Sequence, residues 1–138
     1  MKSLVTKRRI EFSDTDLGGV VHHSRYFVFM ETAEDNLLRS IGTSFHFNDA
    51  GCPGGWPKVT ATCDYLAPLH YGDEIEIQIV VARVSRSAVT YEFSFRRKGE
   101  EVARGRTVSV FCLKQPGGAF ASAPLPETLV AALIHPAE

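Results

Sequence analysis

Ile10-Glu-Phe-Ser-Asp-Thr-Asp-Leu-Gly-Gly-Val-Val-His-His-Ser-Arg-Tyr26 packs charges, glycines and imidazoles directly before the apolar run Phe27-Val-Phe-Met30. Alternating Ile10 and Phe12 end a strand, and Asp14-Thr15-Asp16 opens a loop. Gly18-Gly19 then gives the backbone conformations closed to other residues, including close approach to a ligand. Val20-Val21 re-enters the core, so His22-His23-Ser24 is delivered to the N-terminus of the helix that follows. That helix, about Arg25 to Ile41, places Tyr26, Met30, Ala33, Leu37 and Ile41 on one stripe and leaves Glu31, Glu34, Asp35 and Arg39 for the wetter side. Gly42 is a natural stop. A single helix this apolar needs a sheet curled around it.

The second half of the chain supplies that sheet. Ile75, Ile77, Ile79 and Val81 alternate with Glu74, Glu76, Gln78 and Val80, and Val89, Tyr91, Phe93 and Phe95 alternate with Thr90, Glu92, Ser94 and Arg96. Period two marks half-buried strands. Lys98-Gly99-Glu100 reads as a hairpin turn into Val102–Leu113, and Trp56–Leu66 as an earlier strand ending before Pro68. The expected order is strand, long helix, then four strands. Residues 1–138 read as one domain without repeats. Within it, 115–138 is a linker and tail, with Gln115-Pro-Gly-Gly leading to a short helix over Pro126–His135.

Composition permits many functions and excludes few. The chain has 138 residues, 44% of them apolar, and a formal net charge of −1. Nothing global draws it to nucleic acid, so a polyanionic ligand needs a local basic patch. No run approaches membrane-spanning length, and Met1–Arg9 lacks the apolar core of a signal peptide, so the expected location is cytoplasmic. Cys52, Cys63 and Cys112 have no metal-ligand spacing and read as free thiols. The loop Asn48-Asp-Ala-Gly-Cys-Pro-Gly-Gly55 is glycine-rich, but no Gly-Lys-Ser/Thr follows it, which argues against a nucleotide site.

The chemistry concentrates before the long helix. A helix N-terminus carries unpaired N–H groups and partial positive charge, and so favours a carboxylate or a developing oxyanion. Asp16, on the glycine-rich approach, can aim a base or nucleophile at the same point. Bland readings stay open beside this one: Asp-x-Asp-Gly-Gly also describes a turn whose carboxylates cap amides, and a His pair before a helix also describes capping or solvation. Metal binding by Asp14, Asp16, His22 and His23 is disfavoured, because adjacent histidines are expected to point apart and no helical His-x-x-x-His supports them.

Phe12-Ser-Asp-Thr-Asp-Leu-Gly-Gly-Val-Val-His-His-Ser-Arg-Tyr26 resembles the signature of hot-dog-fold acyl-CoA thioesterases of the 4-hydroxybenzoyl-CoA thioesterase type, including those associated with the Tol-Pal system. Asp14, Thr15, Asp16, Gly18, Gly19, Val20, Val21, His23 and Tyr26 stand in the family's spacing. The resemblance implies an α+β hot-dog fold, an antiparallel sheet of about five strands wrapped around one long central helix. It implies thioester hydrolysis to a free acid and CoA thiol, with no cofactor beyond the CoA of the substrate and no metal.

Residue by residue, the resemblance makes Asp16 the catalytic carboxylate, as nucleophile or general base. His23 becomes the second catalytic position, its backbone N–H the donor to the thioester oxygen. Gly19, Val20, Tyr26 and Thr60 are expected against the substrate. Arg86 and Ser87, in Arg83-Val-Ser-Arg-Ser87, are expected against the CoA nucleotide, in a segment less basic than the family's. Arg96-Arg97-Lys98 reads as a solvated hairpin tip, and Trp56, Pro57, Thr60, Thr62, His46 and Phe47 read first as packing. Hot-dog proteins pair sheets edge to edge, so a homodimer or homotetramer with intersubunit sites is expected. A hot-dog hydratase or dehydratase and a non-catalytic acyl-CoA-binding protein remain the alternatives.

Overall fold

The computed structural model describes residues 1–135; the last three residues of the expected 115–138 tail lie outside the described residues. Strand β1 (Ser3–Arg9) alternates exposed and half-buried side chains and ends one residue before the buried Ile10. A 3-10 turn at Phe12–Asp14 and the glycine turn carry the chain to helix α1 (Arg25–Ser40). The short strands β2 (Phe47–Asp49) and β3 (Cys52–Gly55) follow, then β4 (Lys58–Tyr65), β5 (Glu74–Val84), β6 (Ala88–Arg97) and β7 (Glu100–Val110). Strands β8 (Cys112–Lys114) and β9 (Phe120–Ser122) and helix α2 (Glu127–Ile134) complete the chain.

The long strands form a five-stranded antiparallel sheet in the order β1-β5-β6-β7-β4, and the short ones a four-stranded sheet in the order β2-β3-β8-β9. Nine strands therefore stand among the described residues where the sequence suggested about five. The additional four are three or four residues long, too short to show a period; β2 and β3 carry the Asn, Pro and Gly that signal turns, and β8 lies across the end of the expected Val102–Leu113 strand. The glycine-rich loop is in fact the β2–β3 hairpin, turned at Ala50 and Gly51, both at positive φ. The expected Gln115-Pro-Gly-Gly linker lies in the turn of the β8–β9 hairpin, and α2 beyond it buries Leu133 completely.

Lys98 and Gly99, with φ of 50° and 80°, make the two-residue turn between β6 and β7. Two successive positive values match the twist of the flanking strands. Helix α1 ends as its sequence requires: Gly42 at φ 87° donates to Arg39 C=O, and Thr43 N–H reaches back to Leu38 C=O. This is the double closure of a Schellman motif.

α1 lies on the sheet through Tyr26, Phe29, Met30, Ala33, Leu37 and Leu38, all buried. Gly105 of β7 makes this approach possible, since a Cβ there would overlap the Met30 methyl group. Glu34 is the exception to the expected stripe. It stands four residues after Met30 and four before Leu38, and is fully buried rather than wet. There it pairs with Lys58 of β4 and accepts the Ser109 hydroxyl at 3.1 Å. Burial raises its pKa, with Lys58 and Ser109 pulling the other way.

Among the described residues no helix is long and apolar enough to cross a membrane. The three cysteines are free, Cys112 buried and the others half-buried.

Candidate active site

Asp14 builds the site without taking part in its cleft. Its carboxylate is completely buried, accepting Glu11 N–H at 2.8 Å, Arg8 at 3.1 Å through both oxygens, and Arg25 Nε at 3.0 Å. One side chain thus ties β1, the 3-10 turn and the first residue of α1 together, while its carbonyl accepts His22 N–H at 2.9 Å. Burial opposes its charge, but the Glu11 amide and the two guanidinium groups prevail and hold its pKa below the usual carboxylate value.

The turn that follows is closed by Asp16 N–H to Val20 C=O at 2.9 Å and Gly19 N–H to Asp16 C=O at 3.0 Å. Gly19 has φ 83°, which only glycine adopts without strain. Gly18 donates to Asp16 Oδ1 at 2.9 Å, and a Cβ on Gly18 would sit 3.2 Å from that oxygen. The turn therefore both aims the carboxylate and leaves it room. Val20 bridges His70 and Val21 bridges Thr15, which anchors the turn to the body of the fold.

His22 closes the helix start. Ser24 N–H donates to His22 Nδ1 at 3.2 Å, and Ser24 Oγ lies 2.8 Å from the same nitrogen. An acceptor at Nδ1 leaves the ring proton on Nε2. Rather than pointing apart, the two imidazoles lie against each other in a tilted pair, with centroids 4.2 Å apart and planes 30° from parallel. Even so, no group of three metal-ligating side chains exists among the described residues.

Asp16, Val20, His23 and Tyr26 line one open cleft of about 370 Å³, walled opposite by Tyr65 and Leu66. Asp16 and His23 are solvent-exposed there, whereas Tyr26 is 3% exposed and meets Tyr65 and Phe95 edge-on at 4.9 and 5.5 Å. Burial, then the nearby Cys63 and Tyr65, push the Tyr26 phenol up to about 12, so it is neutral packing at the cleft floor. The His23 N–H makes no hydrogen bond among the described residues and stands one residue before the helix N-cap, Ser24. Asp16 thus shares an open cleft with His23, whose amide is free at a helix start, an arrangement suited to holding a carbonyl oxygen beside a carboxylate.

The sequence profile of the thioesterase-like superfamily matches residues 10–133. The chain belongs to that superfamily. A 1,4-dihydroxy-2-naphthoyl-CoA hydrolase of Prochlorococcus marinus (strain NATL2A) is 30% identical over 106 residues, covering 72% of this chain and 68% of that one. The enzyme of the same name from Synechocystis is 28% identical over 139 residues, covering 99% and 100%. A 4-hydroxybenzoyl-CoA thioesterase solved with 4-hydroxybenzoyl-CoA superposes with a TM-score of 0.82 over 95% of this chain and 98% of that chain, at 20% identity. The fold is the α+β hot-dog fold of these thioesterases.

Within this thioesterase-like chain the remaining expected residues do not gather at Asp16. Thr60 lies on β4 in phase with Thr62 and Asp64, which line the sheet face away from α1 beside Glu92 and Ser94. Neither Thr60 nor Thr62 is packed, since both are exposed; Trp56 and Phe47 are, against Phe111. Arg86 and Ser87 form the β5–β6 hairpin, at the opposite end of those strands from the Asp73 loop that adjoins the Asp16 turn. Their carbonyls accept Leu125 and Phe111 N–H groups, and the Arg86 side chain is exposed.

Two contributors escaped sequence reasoning. Asp14 looked like a turn cap because its cations, Arg8 and Arg25, lie six residues before it and eleven after it. Tyr65 looked like an ordinary strand residue, yet its hydroxyl donates to His23 C=O at 2.9 Å.

Proposed function

We propose that this protein is an acyl-CoA thioesterase that uses Asp16 as its carboxylate and the start of α1 as its carbonyl-binding site. The observation that carries the reading is the cleft shared by Asp16 and His23, whose backbone amide is free at the helix start. A thioester oxygen docked at the His23 N–H gains a donor aimed where negative charge develops; losing one such donor typically costs about 3 kcal/mol. Asp16, held by Gly18 and Gly19, adds to the carbonyl carbon or deprotonates the attacking water. In either case the C–S bond breaks and the thiolate takes up a proton; where Asp16 itself has added, water then hydrolyses the mixed anhydride formed on it, so both routes consume one water and yield a carboxylic acid and CoA thiol. The His23 imidazole, exposed beside the amide, can orient the water. Val20 and Gly19 shape the wall nearest the thioester, and Tyr26 its floor.

The site is completed between protomers. β4 is an unpaired edge of the five-stranded sheet, eight residues long with Val59 63% exposed, and such an edge invites pairing with a second copy. A homodimer, alone or within a homotetramer, would let Thr60, Arg86 and Ser87 serve a neighbour's Asp16, with Arg86 and Ser87 against the CoA nucleotide. Within one protomer none of the three lines the cleft that holds Asp16. The relatives named above act on aromatic acyl-CoA compounds, so aryl thioesters are the first substrates to offer.

Thiol release from benzoyl-, 4-hydroxybenzoyl-, acetyl- and palmitoyl-CoA tests the reading. Turnover of at least one member by an oligomeric protein is expected. A folded protein inert toward all four, or a fully active monomer, contradicts it.

A further inference from the structure

We propose that the Tyr65 hydroxyl is a positioning group for the carbonyl-binding amide at the start of α1. This rests on the thioesterase reading above and extends it to a side chain from the opposite wall of the cleft. Tyr65 ends β4 and pairs with Ala103 of β7, and the next two residues, Leu66 and Ala67, both donate to Val102 C=O at 2.9 and 3.0 Å. Its ring meets the buried Tyr26 edge-on. The hydroxyl is therefore presented from a fixed platform and donates to His23 C=O at 2.9 Å.

The peptide unit after His23 is then held on both sides. Its carbonyl accepts from Tyr65, and its N–H, on Ser24, donates to His22 Nδ1. The preceding peptide, which bears the His23 N–H, is held through the His22 carbonyl by Arg25 N–H at 2.9 Å, so with both planes fixed the His23 N–H keeps a narrow range of directions, which is what preorganised oxyanion binding requires. Burial, then the adjacent Cys63 thiol, raise the Tyr65 pKa, so the group remains a neutral donor at ordinary pH. His22 thereby gains a role as the other half of the clamp.

Because the bond acts on the transition state more than on bound substrate, its loss should lower kcat and spare KM. Tyr65→Phe keeps the ring and removes only the hydroxyl; Tyr65→Leu removes both. Both are assayed by thiol release from 4-hydroxybenzoyl-CoA and benzoyl-CoA beside wild type and Asp16→Asn, with thermal melting in parallel. The expected result is a shared fall of about tenfold in kcat for both Tyr65 variants, KM within about twofold, and a lowered melting temperature only in Tyr65→Leu. A Tyr65→Phe kcat within about twofold of wild type, or a kcat loss that merely follows melting temperature across the two variants, overturns the positioning role while leaving the thioesterase reading intact. Absence of thiol release from wild type overturns that reading and this inference with it.

Discussion

Asp14→Asn is the substitution that most directly separates what holds the site from what performs its chemistry. Asparagine keeps the shape and an acceptor for Glu11 N–H, but removes the charge shared by Arg8 and Arg25. Breaking a fully buried ion pair costs about 3–5 kcal/mol. Here the arginine side chains are 22% and 32% exposed, so water takes up part of the released charge and about 2–3 kcal/mol remains. For a chain of 138 residues that corresponds to a fall in Tm of roughly 6–12 °C, read by circular dichroism. The pH dependence follows from the sign of the shift. The folded-state pKa of Asp14 lies below its unfolded value near 3.8, so its stabilisation is present above that value and is lost as pH falls through the folded pKa. The gap in Tm between wild type and variant should therefore be full at neutral pH and narrow below about pH 4. A fall of less than about 2 °C at pH 7, or a gap that widens in acid, would refute the assignment of Asp14 as the electrostatic anchor.

Gly105→Ala should destabilise by about 1–3 kcal/mol in urea unfolding, because its Cβ has to displace the Met30 methyl group, and Met30→Val in the same chain should restore most of the loss. Lys58→Met leaves Glu34 buried without its cation and should cost about 3 kcal/mol, whereas Glu34→Leu with Lys58→Met should melt near or above wild type. A double variant less stable than Lys58→Met alone would show that the Glu34–Lys58 pair contributes more than packing can replace.

The strands with a clear period, β5 and β6, and the helix stop at Gly42 were legible in the sequence because local patterning decides them. Glu34 was not, since its charge suggested solvent while its spacing from Met30 and Leu38 dictated burial. β2, β3 and β9 were hidden for another reason: each is only three or four residues long, and pairing, with the distant β8 in the case of β3, is what makes them strands, while β8 lay partly inside the expected Val102–Leu113 strand. Around the site, the order of Asp16, Gly18, Gly19 and His23 could be read directly, because the turn and the helix start are contiguous in sequence. Asp14 and Tyr65 could not be read that way. Each acts through partners that only the fold brings near, Arg8 and Arg25 in one case and the His23 carbonyl in the other. Thr60, Arg86 and Ser87 are a third kind, residues whose proposed role needs a neighbouring chain.

The central claim is that thioester hydrolysis passes through the Asp16 carboxylate. Its most direct measurement is kcat for thiol release by wild type and by Asp16→Asn, on the best-hydrolysed thioester, with both proteins shown to be folded and of equal oligomeric state. The account predicts turnover by wild type and a loss of at least about a hundredfold in Asp16→Asn, the scale of a lost acid–base or nucleophilic group. Equal turnover by the two proteins would contradict it.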